Sequence, residues 1–172
     1  GTELWAATDK LLGTEVRVLM LAPQIPVKQA VLDAARRSAL VDGARLIRVL
    51  SVSDSADSVF VATEVPVGRN FASFLDGTPL RADQVHAIIG SLAQTLAAAR
   101  QRGLRHLHIT PESLWITPSN EVYVDGIGMA AALSNTQSPD MTPAEADRLE
   151  VRRLLGFAAS LLTGSSLSDP DD

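Results

Sequence analysis

The sequence has no cysteine and few aromatic residues, and both shortages restrict what the protein can be. Its 172 residues include no Cys, which excludes disulfide bonds and thiolate metal sites and permits a reducing, cytoplasmic compartment. Aromatic residues make up 4% of the chain and apolar residues 46%, so the core must be built from Ala, Leu and Val. The length is enough for one domain with a buried core.

Long apolar runs and an excess of positive charge are also missing. No run reaches the roughly 18 to 20 apolar residues that a membrane helix needs, and no signal peptide is visible. Any attachment to a membrane is therefore expected to come from parts outside this sequence. The net charge of −5 argues against nucleic acid as a partner, because that binding depends on neutralising phosphates.

Hydrophobic periodicity predicts strands and a helix in the first part of the chain, and mainly helices after it. The predicted elements of the first part are strands Val16–Leu21, Leu46–Ser53 and Val59–Glu64 and a helix Val27–Val41. Those of the second part are helices Ala82–Arg102 and Pro143–Leu162 and a hairpin of Leu114–Ile116 with Val122–Val124.

The stretch from His106 to Ile116 reads His-Leu-His-Ile-Thr-Pro-Glu-Ser-Leu-Trp-Ile and resembles a protein-kinase catalytic loop. Such a loop reads His-Arg-Asp, with an Asn five residues after the Asp; the Asp accepts the substrate hydroxyl proton and the Asn holds a magnesium ion. Here Leu107 stands at the Arg position, His108 at the Asp position and Ser113 at the Asn position. The outline of the loop is present without its reactive groups.

Other segments resemble kinase motifs in the same order. Residues 4–9 and 12–21 resemble the second and third strands of bacterial Ser/Thr kinases, with Leu19 in place of the Lys that neutralises the α- and β-phosphates. Ala34 stands at the position of the helix Glu that pairs with that Lys. Gly126, 18 residues after His108, stands at the magnesium-binding Asp of the Asp-Phe-Gly segment, and residues 150–164 resemble the central helix of the large lobe.

This resemblance covers nearly the whole chain and implies an α+β, protein-kinase-like two-lobe fold. The small mixed β-sheet lobe is expected over residues 1–66, a truncated, mainly helical C-lobe over 67–164, and a flexible acidic tail over 165–172. The stretch between Gly128 and Thr142 takes the place of an activation segment. With all five catalytic positions changed, the resemblance implies a pseudokinase without catalytic residues, cofactor or metal; those positions are Leu19, Ala34, His108, Ser113 and Gly126.

Within this family, the chain resembles the cytoplasmic pseudokinase domains attached to mycobacterial MviN-type lipid II flippases, which are membrane proteins of peptidoglycan synthesis. That resemblance implies a place at the cytoplasmic face of the cell membrane. It also implies phosphorylation on Thr by an active bacterial Ser/Thr kinase and recruitment of a forkhead-associated protein, which would regulate precursor export and cell-wall synthesis. The candidate phosphosites are Thr136 and Thr142, although Thr142 also fits the N-cap of the last helix.

Four alternatives remain open from the residues. Asp125 and perhaps Glu112 could serve an atypical nucleotide-binding or phosphotransfer site, but a one-residue shift on an extended segment turns Asp125 to the opposite face from Gly126. His106 and His108 lack a third metal ligand, and a pair of Ser113 with His108 lacks a third, orienting residue. The last alternative is a dimerisation or scaffold domain that needs no phosphate.

Overall fold

The computed structural model describes residues 2–11, 13–41, 45–134 and 140–165. Its first four strands form one antiparallel sheet in the order β1-β2-β4-β3. Their bounds are β1 Thr2–Thr8, β2 Glu15–Leu21, β3 Val49–Asp54 and β4 Val59–Glu64, and helix α1, Lys28–Ser38, comes between β2 and β3 in the chain. This sheet and α1 make up the small lobe.

The register of the small-lobe sheet decides which side chains face the rest of the protein. Leu19 of β2 lies opposite Leu4 of β1 and Val61 of β4, so these three side chains form one row on one face. Arg17 shares that face, because side chains two residues apart on a strand point the same way. On this side α1 buries Val31, and the lobe has its own apolar core.

The large lobe contains the remaining elements. They are β5 (Arg69–Asn70), α2 (Ala82–Gln101), β6 (Leu114–Ile116), β7 (Val122–Val124), α3 (Met129–Leu133) and α4 (Pro143–Thr163), with short 3-10 helices at Phe71–Phe74 and Pro111–Ser113. Strands β5, β6 and β7 form a second sheet in that order. The larger core packs α2 and α4 against this sheet through Leu92, Leu114 and Phe157, and Phe157 meets Phe71 edge to face at 6.3 Å.

A short backbone connection fixes the two lobes to each other. Leu46 forms a parallel bridge with Val124 of β7. The amide of Ile47 donates to the Val124 carbonyl at 2.8 Å, and the Val124 amide donates to the Arg45 carbonyl at 2.8 Å. The predicted strand Leu46–Ser53 is therefore wrong at its start, because its first residues pair with the large lobe and β3 begins only at Val49.

Other predicted elements differ from the structure mainly at their ends. Helix α1 ends at Ser38 instead of Val41, and α4 extends to Thr163, where Gly164 closes it with a left-handed φ of 69°. The stretch expected to replace an activation segment begins with helix α3. That helix forms because Met129 and Ala132 bury their side chains in the small-lobe core. Most of the expected acidic tail, residues 166–172, lies outside the described residues.

Two glycines with positive φ provide a test of the close packing of the Gly68 backbone against β6. A Cβ on Gly68 (φ 104°) would lie 2.1 Å from the Ile116 carbonyl oxygen, whereas a Cβ on Gly13 (φ 66°) would meet nothing within 4 Å. We expect Gly13→Ala to lower the free energy of unfolding by about 1 kcal/mol, the cost of a left-handed backbone. Gly68→Ala should cost at least about 2 kcal/mol more, because β6 must also move. Equal losses in urea denaturation would contradict this packing.

Candidate functional site

A cavity of about 280 Å³ lies between the small-lobe sheet and the large lobe. Four of the five positions expected to have lost catalytic groups line it. These are Leu19, His108, Ser113 and Gly126. The fifth, Ala34, is buried in the adjoining small-lobe core, against which Leu19 also packs. Apolar packing thus surrounds the two residues that the sequence resemblance matches to the Lys–Glu ion pair of a kinase, so neither position leaves a buried charge without a partner.

The strongest polar contact in the cavity joins the two lobes. The Arg17 guanidinium of β2 donates from Nη2 to Oδ2 of Asp125, which follows β7, at 2.5 Å. The two side chains are only 15% and 21% exposed. The same guanidinium lies over the Trp115 ring of β6, 5.6 Å from its centroid, within the range of a cation–π contact. We refer to Arg17, Trp115 and Asp125 together as the Arg17 clasp.

The expectation that Asp125 turns away from the cleft is wrong. Its carboxylate lines the cavity beside Gly126. The rule of opposite faces holds for an extended chain, but here Gly126 has a φ of 70° and the chain turns directly after Asp125. The Asp125 amide also donates to the Ser113 carbonyl at 2.8 Å, which holds this turn against the loop that carries His108.

The buried His106 holds the loop that carries His108 through two hydrogen bonds. Its Nε2 donates to the Asp125 carbonyl at 2.8 Å, and its amide donates to Oε1 of Glu150 on α4 at 2.8 Å. Burial lowers the pKa of His106, and burial also raises the pKa of Glu150 above its ordinary value, against the opposing effect of the hydrogen bond from the His106 amide. Burial therefore shifts the pKa of each group in the direction that disfavours its charged form, which is typical of structural residues inside a core.

Two other side chains of this loop, those of Ser113 and Leu107, also have partners within the protein. Ser113 Oγ donates to the Thr110 carbonyl at 2.7 Å and accepts from the Thr110 amide at 3.2 Å, so it closes a turn instead of pairing with His108. Leu107 is fully buried and packs with Ala131 and Ala146. In the part of the chain that the structure describes, no three His, Cys, Asp or Glu side chains are grouped as a metal site would require.

Of the two candidate phosphosites, only Thr142 lies within the described residues; Thr136 lies outside them. Thr142 is exposed and is the N-cap of α4. Its Oγ1 donates to Oε2 of Glu145 at 2.6 Å and accepts from the Glu145 amide at 3.3 Å. These contacts form a capping box, and the hydrogen bonds from Thr142 lower the pKa of Glu145.

Comparison with known proteins supports a kinase-like fold. The chain is 19% identical to the kinase domain of Mycobacterium tuberculosis PknI, with a TM-score of 0.76 over 98% of this chain and 71% of that one. The chain has a protein-kinase-like, two-lobe fold. Over 150 residues it is 30% identical to the probable serine/threonine-protein kinase PknB of Corynebacterium glutamicum. No protein-family model matches the chain.

The chain spans less than a quarter of the length of this kinase. The aligned region is 80% of this chain but only 23% of that protein. Among the described residues, no helix is both long enough and apolar enough to span a bilayer. Arg17 and Trp115 are functional-site residues that the sequence analysis does not identify, because neither belongs to a recognisable motif. The one available signal is that Arg17 precedes Leu19 by two residues and must share its face.

A double-mutant cycle measures the energy of the Arg17–Asp125 contact. We expect the changes Arg17→Met and Asp125→Asn to be coupled by about 1 to 3 kcal/mol in the free energy of unfolding, because the pair is largely buried. Arg36 and Asp33, paired at 2.9 Å with side chains 48% and 62% exposed, are a matched surface control whose coupling should stay below about 1 kcal/mol. Similar values for the two cycles would show that the clasp contributes no more than a surface pair.

The contact between His106 and Glu150 predicts opposite effects for two substitutions. Glu150→Ala leaves the buried His106 amide without an acceptor and should cost about 1 to 3 kcal/mol. Glu150→Gln keeps an acceptor and removes the charge, so it should be more stable than the natural protein near pH 7.

The pH dependence of Glu150→Gln follows from the direction of the pKa shift. Because burial raises the folded-state pKa of Glu150 above its ordinary value of 4.5, charging this group opposes folding at higher pH. The advantage of Glu150→Gln should shrink as the pH falls through the folded-state pKa toward the ordinary value. Denaturation curves between pH 4.5 and 8 test this, and a constant difference would contradict it.

Proposed function

We propose that this chain is a catalytically inactive kinase-fold module that is phosphorylated on threonine by an active Ser/Thr kinase. In this proposal the phosphorylated module recruits a forkhead-associated protein and thereby regulates peptidoglycan precursor export and cell-wall synthesis. The proposal places it at the cytoplasmic face of the membrane as part of an MviN-type flippase. The similarity to the curated kinase PknB and the MviN-type sequence resemblance support this reading.

The Arg17 clasp is the observation that carries the proposal. Phosphoryl transfer needs a cation on the phosphates, two magnesium ligands and a carboxylate that accepts the hydroxyl proton. The corresponding positions hold Leu19, Ser113, Gly126 and His108, and the one carboxylate beside Gly126 is already paired with Arg17. A nucleotide would have to break this ion pair and the contact with Trp115, and the described part of the chain places no lysine in the cavity lining and no metal-binding cluster that would compensate.

The surface position of Thr142 supports a role for phosphorylation. A phosphate there would carry about −1.5 to −2 charges and would replace the hydroxyl proton that Thr142 donates to Glu145. It would also repel the Glu145 carboxylate, so the capping box would have to rearrange while the phosphate accepts from amides at the start of α4. Modification would therefore change the local surface as well as its charge, which suits a partner that reads phosphothreonine.

An atypical nucleotide-binding domain is the second candidate, because the carboxylates of Asp125 and Glu112 line the same cavity. In this alternative Asp125 would hold a metal ion. It would have to exchange Arg17 for that ion, so a magnesium-dependent loss of the clasp contact is its distinguishing property. Magnesium titration of the isolated protein, followed by the amide signals of Arg17 and Asp125, separates this candidate from the docking module.

The direct experiment is to phosphorylate the protein with an active bacterial Ser/Thr kinase, map the modified residues by mass spectrometry and titrate forkhead-associated domains. We expect affinity to rise at least about tenfold, or about 1.4 kcal/mol, on modification. Thr142→Asn is the informative variant, because Asn still caps the helix but cannot be phosphorylated. Thr136→Ala tests the other site.

The two variants assign the site. Loss of binding in Thr142→Asn alone identifies Thr142, and loss in Thr136→Ala alone identifies Thr136. Binding that is equally strong without phosphate, or a protein that the kinase does not modify, would remove the proposed recruitment mechanism.

A further inference from the structure

The interlobe cavity combines an apolar interior with an unpaired negative charge at its edge. We propose that it binds a small amphiphile with an apolar or aromatic body and a single positive charge. This inference goes beyond the phosphorylation-dependent docking and does not depend on it. It assigns to the cavity a ligand class opposite in charge to a nucleotide.

The interior of the cavity is apolar on two sides. Leu4, Leu19 and Val61 form one row on the small-lobe sheet, and Met129 and Leu133 face the cavity from α3. The volume of about 280 Å³ is near the lower end of the range for small-molecule sites, which begins at about 300 Å³. A single or fused aromatic ring with a short side chain fits such a space, and burying its surface supplies the affinity.

The charges of the side chains around the cavity do not sum to zero. Arg17 and Asp125 neutralise each other in the clasp, and Leu19 contributes no charge. Glu112 also lines the cavity, and its carboxylate has no hydrogen bond or ion pair within the described part of the chain. Counting +1 for Arg17, −1 for Asp125, −1 for Glu112 and His108 as neutral, the lining carries a net charge of −1.

Glu112 is held in position by its backbone. Its carbonyl accepts from Nδ2 of Asn70 at 2.7 Å. It sits in the short 3-10 helix Pro111–Ser113, whose ends are joined by the reciprocal hydrogen bonds of Thr110 and Ser113. Its side chain is exposed and remains available to a ligand. A carboxylate beside an apolar cavity favours an ammonium group on the ligand and disfavours a phosphate or carboxylate.

Two probes with the same ring and opposite charge test the inference. Tryptamine carries an ammonium group and indole-3-propionate a carboxylate on similar short chains. Titrating each into the full 172-residue protein, followed by calorimetry and by amide chemical shifts, should show tryptamine binding at least about tenfold tighter. The shifts should concentrate at residues that line the cavity, such as Leu19 and Met129.

Three variants separate charge from shape. Glu112→Gln should remove most of the preference for tryptamine, whereas Asp57→Asn, which removes an exposed carboxylate in the turn between β3 and β4, should leave it unchanged. Ala130→Leu should weaken both probes, because Ala130 lines the cavity and is partly exposed, so the larger side chain narrows the space without disturbing a core position.

Several outcomes would overturn the inference. These are equal binding of the two probes, tryptamine binding that neither Glu112→Gln nor Ala130→Leu weakens, and no shift at the cavity residues at millimolar probe concentrations. None of them bears on phosphorylation or on forkhead-associated domains, so a failure here is distinct from a failure of the proposed function.

Discussion

The placement of one guanidinium group connects most features of this cleft. Arg17 leaves the small-lobe sheet, lies over Trp115 and pairs with Asp125. The Asp125 carbonyl in turn accepts from His106, whose amide donates to Glu150 on α4. One continuous series of contacts therefore runs from β2 through the cleft to the centre of the large lobe. Its hydrogen bonds stabilise each other in the low-dielectric interior, while the buried Arg17 Nε, His106 Nδ1 and Trp115 Nε1 atoms have no hydrogen-bond partner among the described residues.

The residues that the resemblance places at or beside catalytic positions have structural roles around this cleft. Leu19 and Ala34 extend the apolar core of the small lobe, Leu107 packs against α3 and α4, and Ser113 closes the turn of its own loop. Each of these four side chains therefore has a packing or hydrogen-bonding role of its own. A charged side chain introduced at Leu19 or Ala34 would lie among the apolar side chains of the small-lobe core, which is costly in a protein interior.

The sequence predicted the elements with strong periodicity and the positions around the cleft, and it failed where tertiary contacts decide. Helix α2 was predicted to within one residue because its apolar spacing and Gly103 are local signals. Leu46 was assigned to β3 because apolar content does not say which sheet a residue joins. The direction of Asp125 depends on the φ of Gly126. The contact between Arg17 and Trp115, 98 positions apart in the sequence (115 − 17), follows from the fold and has no local pattern.

The central proposal is that the kinase-like cleft is held by its own side chains and does not take a nucleotide. Calorimetric titration of the purified protein with ATP and magnesium tests it most directly, with the same titration of an active Ser/Thr kinase as a positive control. The account predicts no measurable heat of binding and no change in melting temperature at millimolar nucleotide. Saturable, magnesium-dependent binding in the micromolar range would contradict it, because such affinity requires that Arg17 release Asp125 and that the cleft supply a metal site.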